Sequence, residues 1–457
     1  MRFVTAGGGA AQPEGDELLS ITRRGPMTHA YRLAFFSILG LLVACNSTDP
    51  DVTSGAGAAS GGATGGSGGG ATTGDAATGG AGTGTGDAAT GGAGAGDVSA
   101  GGAGTGGVGG SGGTGGSATP VDAAAMVPDM GIGANIGNTL ENTTEWETGW
   151  GQPLITRTFI NGMASHGIKT VRVPVAWDTY AANGTIDATK MARVKEVVGW
   201  IEAAGMYSIV NIHWDGGWIY NEDNADKYKL TDDVKTRFAS YWTQIATAFS
   251  DVGHKLILEG MNEEGNYWVN GVHDGGTPDY AALNEMNQLF VTTVREQGGY
   301  NASRALLIAG FVTDIDRTCV SDFKVPADPA GTKSLFLSIH YYTPYTFCGL
   351  DTVESWGSPK TTWGTEPEKA ELKSKFDTLG AFSAQRSLPI ILGEFGVTLG
   401  TNYPREPASR TLWMRSVVEA ATSRGIVPVL WDTGTDIKRT DGSFSTEWQA
   451  VVSAVNR

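Results

Sequence analysis

From residue 132 to residue 430 the sequence alternates short apolar runs, several ending in a polar or aromatic side chain, with longer stretches of helical period. This alternation is what most restricts the fold. The runs occupy 132–136, 170–173, 207–212, 255–258, 305–309, 335–339, 389–392 and 427–430. Helical stretches at 188–204, 232–249, 280–296, 368–385 and 409–424 lie between them. In the second stretch Val234, Phe238, Trp242, Ile245 and Phe249 recur at spacings of three and four, which gives one apolar helix face. Apolar strands alternating with helices make a parallel sheet covered on its faces. Eight such units in residues 126–457 predict an α/β chain folded as a single (β/α)8 barrel, with its functional residues where the strands end.

The chain upstream has a different character. Residues 33–44 form a short apolar run behind Arg23, Arg24 and Arg32, too brief to span a bilayer and closed by Leu42-Val43-Ala44-Cys45. The segment resembles a bacterial lipoprotein signal. That resemblance implies an exported protein, at the cell surface or outer membrane, anchored through lipid on Cys45. Residues 1–45 are accordingly taken as extension and signal, with Met27 as an alternative start. Residues 46–125 cycle through Gly, Ala and Thr with no aromatic residue, so they have too little to bury to offset the entropy of ordering and are expected to form a disordered linker. Export to an oxidising compartment makes Cys319 and Cys348 candidates for a disulfide, with two separate buried thiols as the alternative. The formal net charge of −16 argues against a nucleic-acid partner and leaves a neutral polymer open.

Polar or aromatic residues gather at the expected strand ends: Asn138, Arg172, His213, Asn262-Glu263, His340 with Tyr342, Glu394 and Trp431. Seven strands contribute, which points to a site and not to packing. Glu263 and Glu394 follow the fourth and seventh runs, which face each other across a barrel mouth. Two opposed carboxyls are what glycosidic cleavage needs, one to protonate the departing oxygen and one to attack the anomeric carbon.

In order along the chain stand Gly133-Ala134-Asn135-Ile136-Gly137-Asn138-Thr139-Leu140, Val171-Arg172-Val173-Pro174-Val175, Asn211-Ile212-His213, Asn262-Glu263, His340-Tyr341-Tyr342, Gly393-Glu394-Phe395-Gly396 and Trp431. This ordered set resembles glycoside hydrolase family 5, the cellulase and mannanase family, across residues 126–457, and most closely its endoglucanase and xyloglucanase branches. The resemblance implies a retaining endo-β-1,4-glucanase with Glu263 as acid/base, Glu394 as nucleophile and no cofactor or metal. Its Asn262 would donate to the sugar 2-hydroxyl. By their chemistry Arg172 would lower the pKa of Glu394, Tyr342 would orient that carboxylate, and His213 and His340 would bind hydroxyls or orient the acid. One departure stands out: Glu264 occupies the place where the family usually has proline, so composition alone leaves two adjacent acids to choose between.

Trp146, Trp150, Trp177, Trp214, Trp218, Trp268, Trp356, Trp363 and Trp431 fall after strands, where flat rings suit the faces of β-linked glucose; half of them are expected to be packing instead. Trp200, Trp242, Trp413 and Trp448 fall in helical stretches and are expected in the core. Three rival readings remain: a mannanase or xylanase of the same fold, a metal hydrolase using His213, Asp215 and His340, and a non-catalytic sugar-binding lipoprotein. The expected partner is a β-glucan, and nothing in the sequence asks for more than a monomer.

Overall fold

The structure, a computed structural model, describes residues 119–213, 230–265 and 278–455. Cys45 with its signal, the Gly-rich tract to residue 118, Asp215, Trp214, Trp218 and Trp268 lie outside the described residues. Strands run in the order β1 (Gly133–Asn135), β2 (Thr170–Val173), β3 (Ala181–Ala182), β4 (Thr185–Ile186), β5 (Tyr207–Asn211), β6 (Leu256–Glu259), β7 (Leu306–Ala309), β8 (Leu335–Tyr341), β9 (Ile390–Phe395) and β10 (Val427–Leu430). Eight of them close a parallel barrel in which β1 pairs with both β2 and β10. β3 and β4 form a small antiparallel pair outside it, which the sequence did not suggest.

Helices cover the barrel at Arg157–Ser165, Ala188–Ala203, Asp232–Ala248, Tyr280–Glu296, Glu366–Arg386, Pro407–Thr422 and Thr446–Val455. Side chains of Thr156, Asp187, Thr231 and Asp279 accept backbone N–H groups at four of their starts, which is why these helices begin there. Val234, Phe238, Trp242 and Ile245 are buried, as the periodicity required. Among the described residues no helix is long and apolar enough to cross a membrane.

The expected start of the domain near residue 126 falls inside a helix, Ala123–Met130, whose first turn Asp122 caps. Ala123, Met126 and Met130 pack against Ile209, Ile257, Leu307, Phe336, Ile391, Val427 and Val429, the lower interior layer of the barrel. This helix closes the end at which the strands begin. Above that apolar layer the interior turns polar: Asn135, Arg172, Asn211, Glu259 and Ser338 are all fully buried. Alternation along each strand puts these residues on the same inward face as the apolar ones beneath them.

Cys319 and Cys348 are free thiols, so the candidate disulfide is not formed and the alternative of two separate thiols holds. Cys319 caps the short helix Ile315–Thr318, while Cys348 lies buried in another, Tyr345–Cys348. Burial pushes both thiols up, that of Cys319 to about 12.

Candidate active site

Glu394 lies within β9, and a local irregularity turns it inward. Ile339 and His340 of β8 pair with Leu392 and Glu394, while Pro428 and Leu430 of β10 pair with Leu392 and Phe395. Against both neighbours β9 therefore carries one extra residue, a β-bulge at Gly393. Ile391 faces the lower interior layer, so strict alternation would send Glu394 outward. The bulge resets the alternation: Glu394 enters the barrel and Phe395 goes outward against Trp413 and Trp448. Glycine suits the bulge because a Cβ there would sit 3.1 Å from both His340 Nε2 and Ser338 Oγ, close enough to push one of them aside. Asn135 Nδ2 holds the bulge by donating to the Gly393 carbonyl at 2.9 Å and to that of Leu430 at 3.1 Å.

Arg172 organises the floor. Its Nη1 donates to Glu394 Oε1 (2.8 Å) and Asn135 Oδ1 (3.0 Å), its Nη2 to Asn262 Oδ1 (2.8 Å), and its Nε to Glu259 Oε2 (2.6 Å). Burial works against the guanidinium charge, but Glu259 and Glu394 outweigh it and leave Arg172 more firmly protonated than usual. Because the Asn262 oxygen is committed to Arg172, its amide N–H2 is the end presented outward. Tyr342 Oη donates to Glu394 Oε2 at 3.0 Å. Burial, then the charges of Glu394 and Glu263, hold that phenol well above its ordinary value, so it stays a donor.

Glu263 follows β6 by four residues and keeps a side chain 31% exposed. His340 Nδ1 is 2.8 Å from Glu263 Oε1 and 3.7 Å from Glu394 Oε2, so the imidazole stands between the two acids. A carboxylate oxygen from each acid and a ring nitrogen of His340 lie within 4.8 Å of one another. That spacing would also suit metal ligands, although His340 and Glu263 are already joined to each other. Of the two adjacent acids, Glu263 is the one brought to His340.

Arg172 lowers the pKa of Glu394 as expected, yet the net shift is upward. Burial raises its carboxyl above the ordinary 4.5, Glu263 adds to this, and His340 and Arg172 offset only part of it. Arg172 thus opposes a desolvation that is larger than its own effect. His213 lies against Trp431, with rings stacked at 5.5 Å between centroids, and its Nδ1 is 3.2 Å from Asn211 Nδ2. Burial, with Arg172 and His340 adding repulsion, lowers its pKa well below 6.5 and keeps the ring neutral.

Asn138 is fully buried with φ +60°, and neither of its side-chain polar atoms has a hydrogen-bond partner among the described residues. Its backbone N–H instead donates to Glu141, which also accepts from Thr139 N–H at 2.9 Å. Burial pushes the Glu141 carboxyl up to about 7 against the pull of those amides.

Trp146, Trp177 and Trp363 are packing, whereas Trp150, Trp356 and Trp431 keep exposed surface, Trp356 the most at 59%. Trp242, Trp413 and Trp448 are core; Trp200 is half-buried beneath the Arg193 guanidinium. Sequence reasoning missed Glu259, Ser338 and the positioning part played by Asn135. In Leu256-Ile257-Leu258-Glu259 the acid reads as the polar end of a strand, and only its parity with inward-facing Ile257 signals otherwise.

A family model described as Cellulase (glycosyl hydrolase family 5) matches residues 133–436. Endoglucanase A of Paenibacillus barcinonensis is 34% identical over 344 residues, covering 68% of this chain and 82% of that protein. Among solved structures, a GH5-4 broad specificity endoglucanase from an uncultured bovine rumen ciliate superposes with TM-score 0.63 at 32% identity, over 73% of this chain and 99% of that one. A Bacteroides ovatus GH5 xyloglucanase in complex with a XXXG heptasaccharide superposes with TM-score 0.64 at 28% identity, over 73% of this chain and 76% of that one.

Proposed function

The chain belongs to glycosyl hydrolase family 5, the cellulase family, and is a glycoside hydrolase; on that premise we propose that it cuts internal β-1,4 bonds of glucan, cellulose or xyloglucan, by double displacement. The observation that carries the mechanism is the pair of carboxylates at the barrel mouth, with oxygens within 4.8 Å across His340. Retaining glycosidases hold their carboxyls roughly 5–5.5 Å apart, and inverting ones leave a wider gap of about 6.5–9.5 Å for water. Glu394 is the nucleophile, since Arg172 and Tyr342 each hold one of its oxygens and favour the anion. Glu263 is the acid/base, being more exposed and paired with His340, through which its proton can be replenished.

In the first step a Glu394 oxygen bonds to the anomeric carbon as the bond to the departing chain breaks, and the Glu263 proton passes to that chain's oxygen. Water then attacks the same carbon, gives its proton to Glu263 and releases Glu394. The Asn262 amide donates to the 2-hydroxyl, neutral His213 binds a further hydroxyl, Asn138 supports the loop behind them, and Trp431 stacks against a ring. The endoglucanases and the xyloglucanase among the similar proteins support a glucan backbone as substrate. Release of reducing sugar from cellopentaose, xyloglucan, mannan and xylan separates it from the mannanase and xylanase alternatives. The apolar run closed by Cys45 supports an exported, lipid-anchored protein; fatty-acid labelling that is lost in Cys45→Ala checks the anchor.

Azide and an activated aryl β-cellobioside test the roles. Glu394→Gly should be inactive alone and regain turnover with azide, which attacks opposite the leaving group and yields the α-glycosyl azide. Glu263→Gly should give the β-azide, because azide then displaces Glu394 from a glycosyl-enzyme already formed. Failure of azide to rescue Glu394→Gly would remove it as the nucleophile.

A further inference from the structure

The guanidinium that holds Glu394 from below is itself held from behind. Arg172 Nε donates to Glu259 Oε2 at 2.6 Å, and the second oxygen of Glu259 accepts from Ser338 Oγ at 2.7 Å. Arg172 and Glu259 are both 0% exposed, so no sugar touches Glu259. We propose that Glu259 is a positioning residue for the reaction, which fixes the plane of Arg172 and shares its charge so that Glu394 is held in place without being quenched as a nucleophile. The inference rests on the assignment of Glu394 as the nucleophile.

The first support is geometric. Of the four acceptors around Arg172, Glu394 acts in the reaction and Asn262 precedes the acid/base, so any tilt of the guanidinium displaces both. Glu259 is the acceptor at Nε, the end away from both, and Ser338 on β8 prevents it from turning aside. An arginine fork clamped at Nε and at Nη1 has no free rotation left.

The second support is the charge count. Glu394 is faced by Arg172 from β2, by Glu263 after β6, by His340 from β8 and by Tyr342 just after it; Glu259 on β6 and neutral His213 after β5 face Arg172. Arg172 thus serves two buried carboxylates with one positive charge. Withdrawing a second carboxylate wholly from water is costly. A neutral side chain of the same shape would avoid that cost and would still occupy the space. What it would not do is divide the arginine's charge. With Glu259 neutral, all of that charge falls on Glu394, which binds a proton less tightly and attacks carbon less readily.

Two substitutions in the full chain move this balance in opposite directions. Glu259→Gln removes the competing charge. It should cut kcat by about tenfold or more while KM changes by less than about twofold, and move the acid limb of kcat/KM to lower pH by about half a unit. Ser338→Ala leaves both charges and removes only the hydroxyl that satisfies Glu259, which then draws harder on Arg172. Its acid limb should move to higher pH. A purely structural Glu259 would lower the rate, in step with thermal stability, without moving either limb. Limbs that stay at the parent position, or that shift in the same direction, overturn the proposal. Should Glu259→Gln fail to fold, the sign of the Ser338→Ala shift decides alone. Azide rescue of Glu394→Gly, run alongside, separates the two failures, because it can succeed while the limbs stay still.

Discussion

Glu394 has both of its oxygens held, one by Arg172 and one by Tyr342, in a site from which water is largely excluded. A hydrogen bond to a charged group contributes about 1.5–3 kcal/mol. Tyr342→Phe should therefore lower kcat/KM roughly ten- to a hundredfold, and steady-state kinetics showing a change below twofold would contradict the arrangement. The pH dependence follows from the sign of the shift at the nucleophile. Burial raises the Glu394 carboxyl above 4.5, and only its anion attacks, so activity should climb through an acid limb lying above that value. A kcat/KM profile already flat at pH 4.5 would contradict it. The sequence marks Glu263 and Glu394 because each is an acid beyond an apolar run, a local signal. It does not mark Glu259 or Ser338, whose significance comes from a contact across 79 positions of chain. The net upward shift of Glu394 is hidden from the sequence for a related reason: an arginine partner is visible in a motif, whereas the extent of desolvation depends on everything packed around it.

Among the elements, β9 has the least tolerance for change. Gly393→Ala places a methyl against His340 and Ser338 at a distance tighter than ordinary contact, so either the imidazole or the bulge must shift by a few tenths of an ångström. A misplacement approaching 1 Å at reacting groups costs on the order of a hundredfold in rate, and a loss of at least tenfold in kcat with little change in melting temperature is expected. Parent-like kinetics would show that the bulge does not set the nucleophile.

The helix Glu366–Arg386 begins with a capping box in which Thr365 donates to the Glu368 carboxylate through its N–H at 3.0 Å and its Oγ1 at 2.9 Å, and Lys360 pairs with the same group. Thr365→Ala should cost about 1 kcal/mol, read as a lowered midpoint in urea. Burial opposes the ionised form of Glu368, but Lys360 and the capping amides outweigh it and bring its carboxyl to about 2. A depressed folded-state value means that this stabilisation is complete above 4.5 and is lost as pH falls from there toward 2. The Thr365→Ala penalty should shrink over that window. Strands were legible because buried parallel strands are continuous apolar runs; β10 and the helix Tyr280–Glu296 begin and end where the sequence indicated. The helix Ala123–Met130 was not, because it starts within the alanine-rich end of the linker and contains Pro128.

For the molecule as a whole, a barrel is the way eight such units bury every strand without leaving an edge, and that much was readable from their number. What the count leaves out is how the lower end of the interior is sealed. Met130 is fully buried beneath Ile257, Phe336 and Val429, so Met130→Ala should cost about 2–5 kcal/mol and lower the melting temperature without altering KM. A KM that rises in step would mean that the lower seal also shapes the mouth. The same helix fixes where the rest of the polypeptide departs. Val121, whose N–H donates to the Ser303 carbonyl and whose own carbonyl accepts from Ser334 Oγ just before β8, ties the chain to the underside. The described chain thus enters at the end of the barrel opposite Glu263 and Glu394, so a change within residues 121–130 reaches the reacting groups only through the length of the strands.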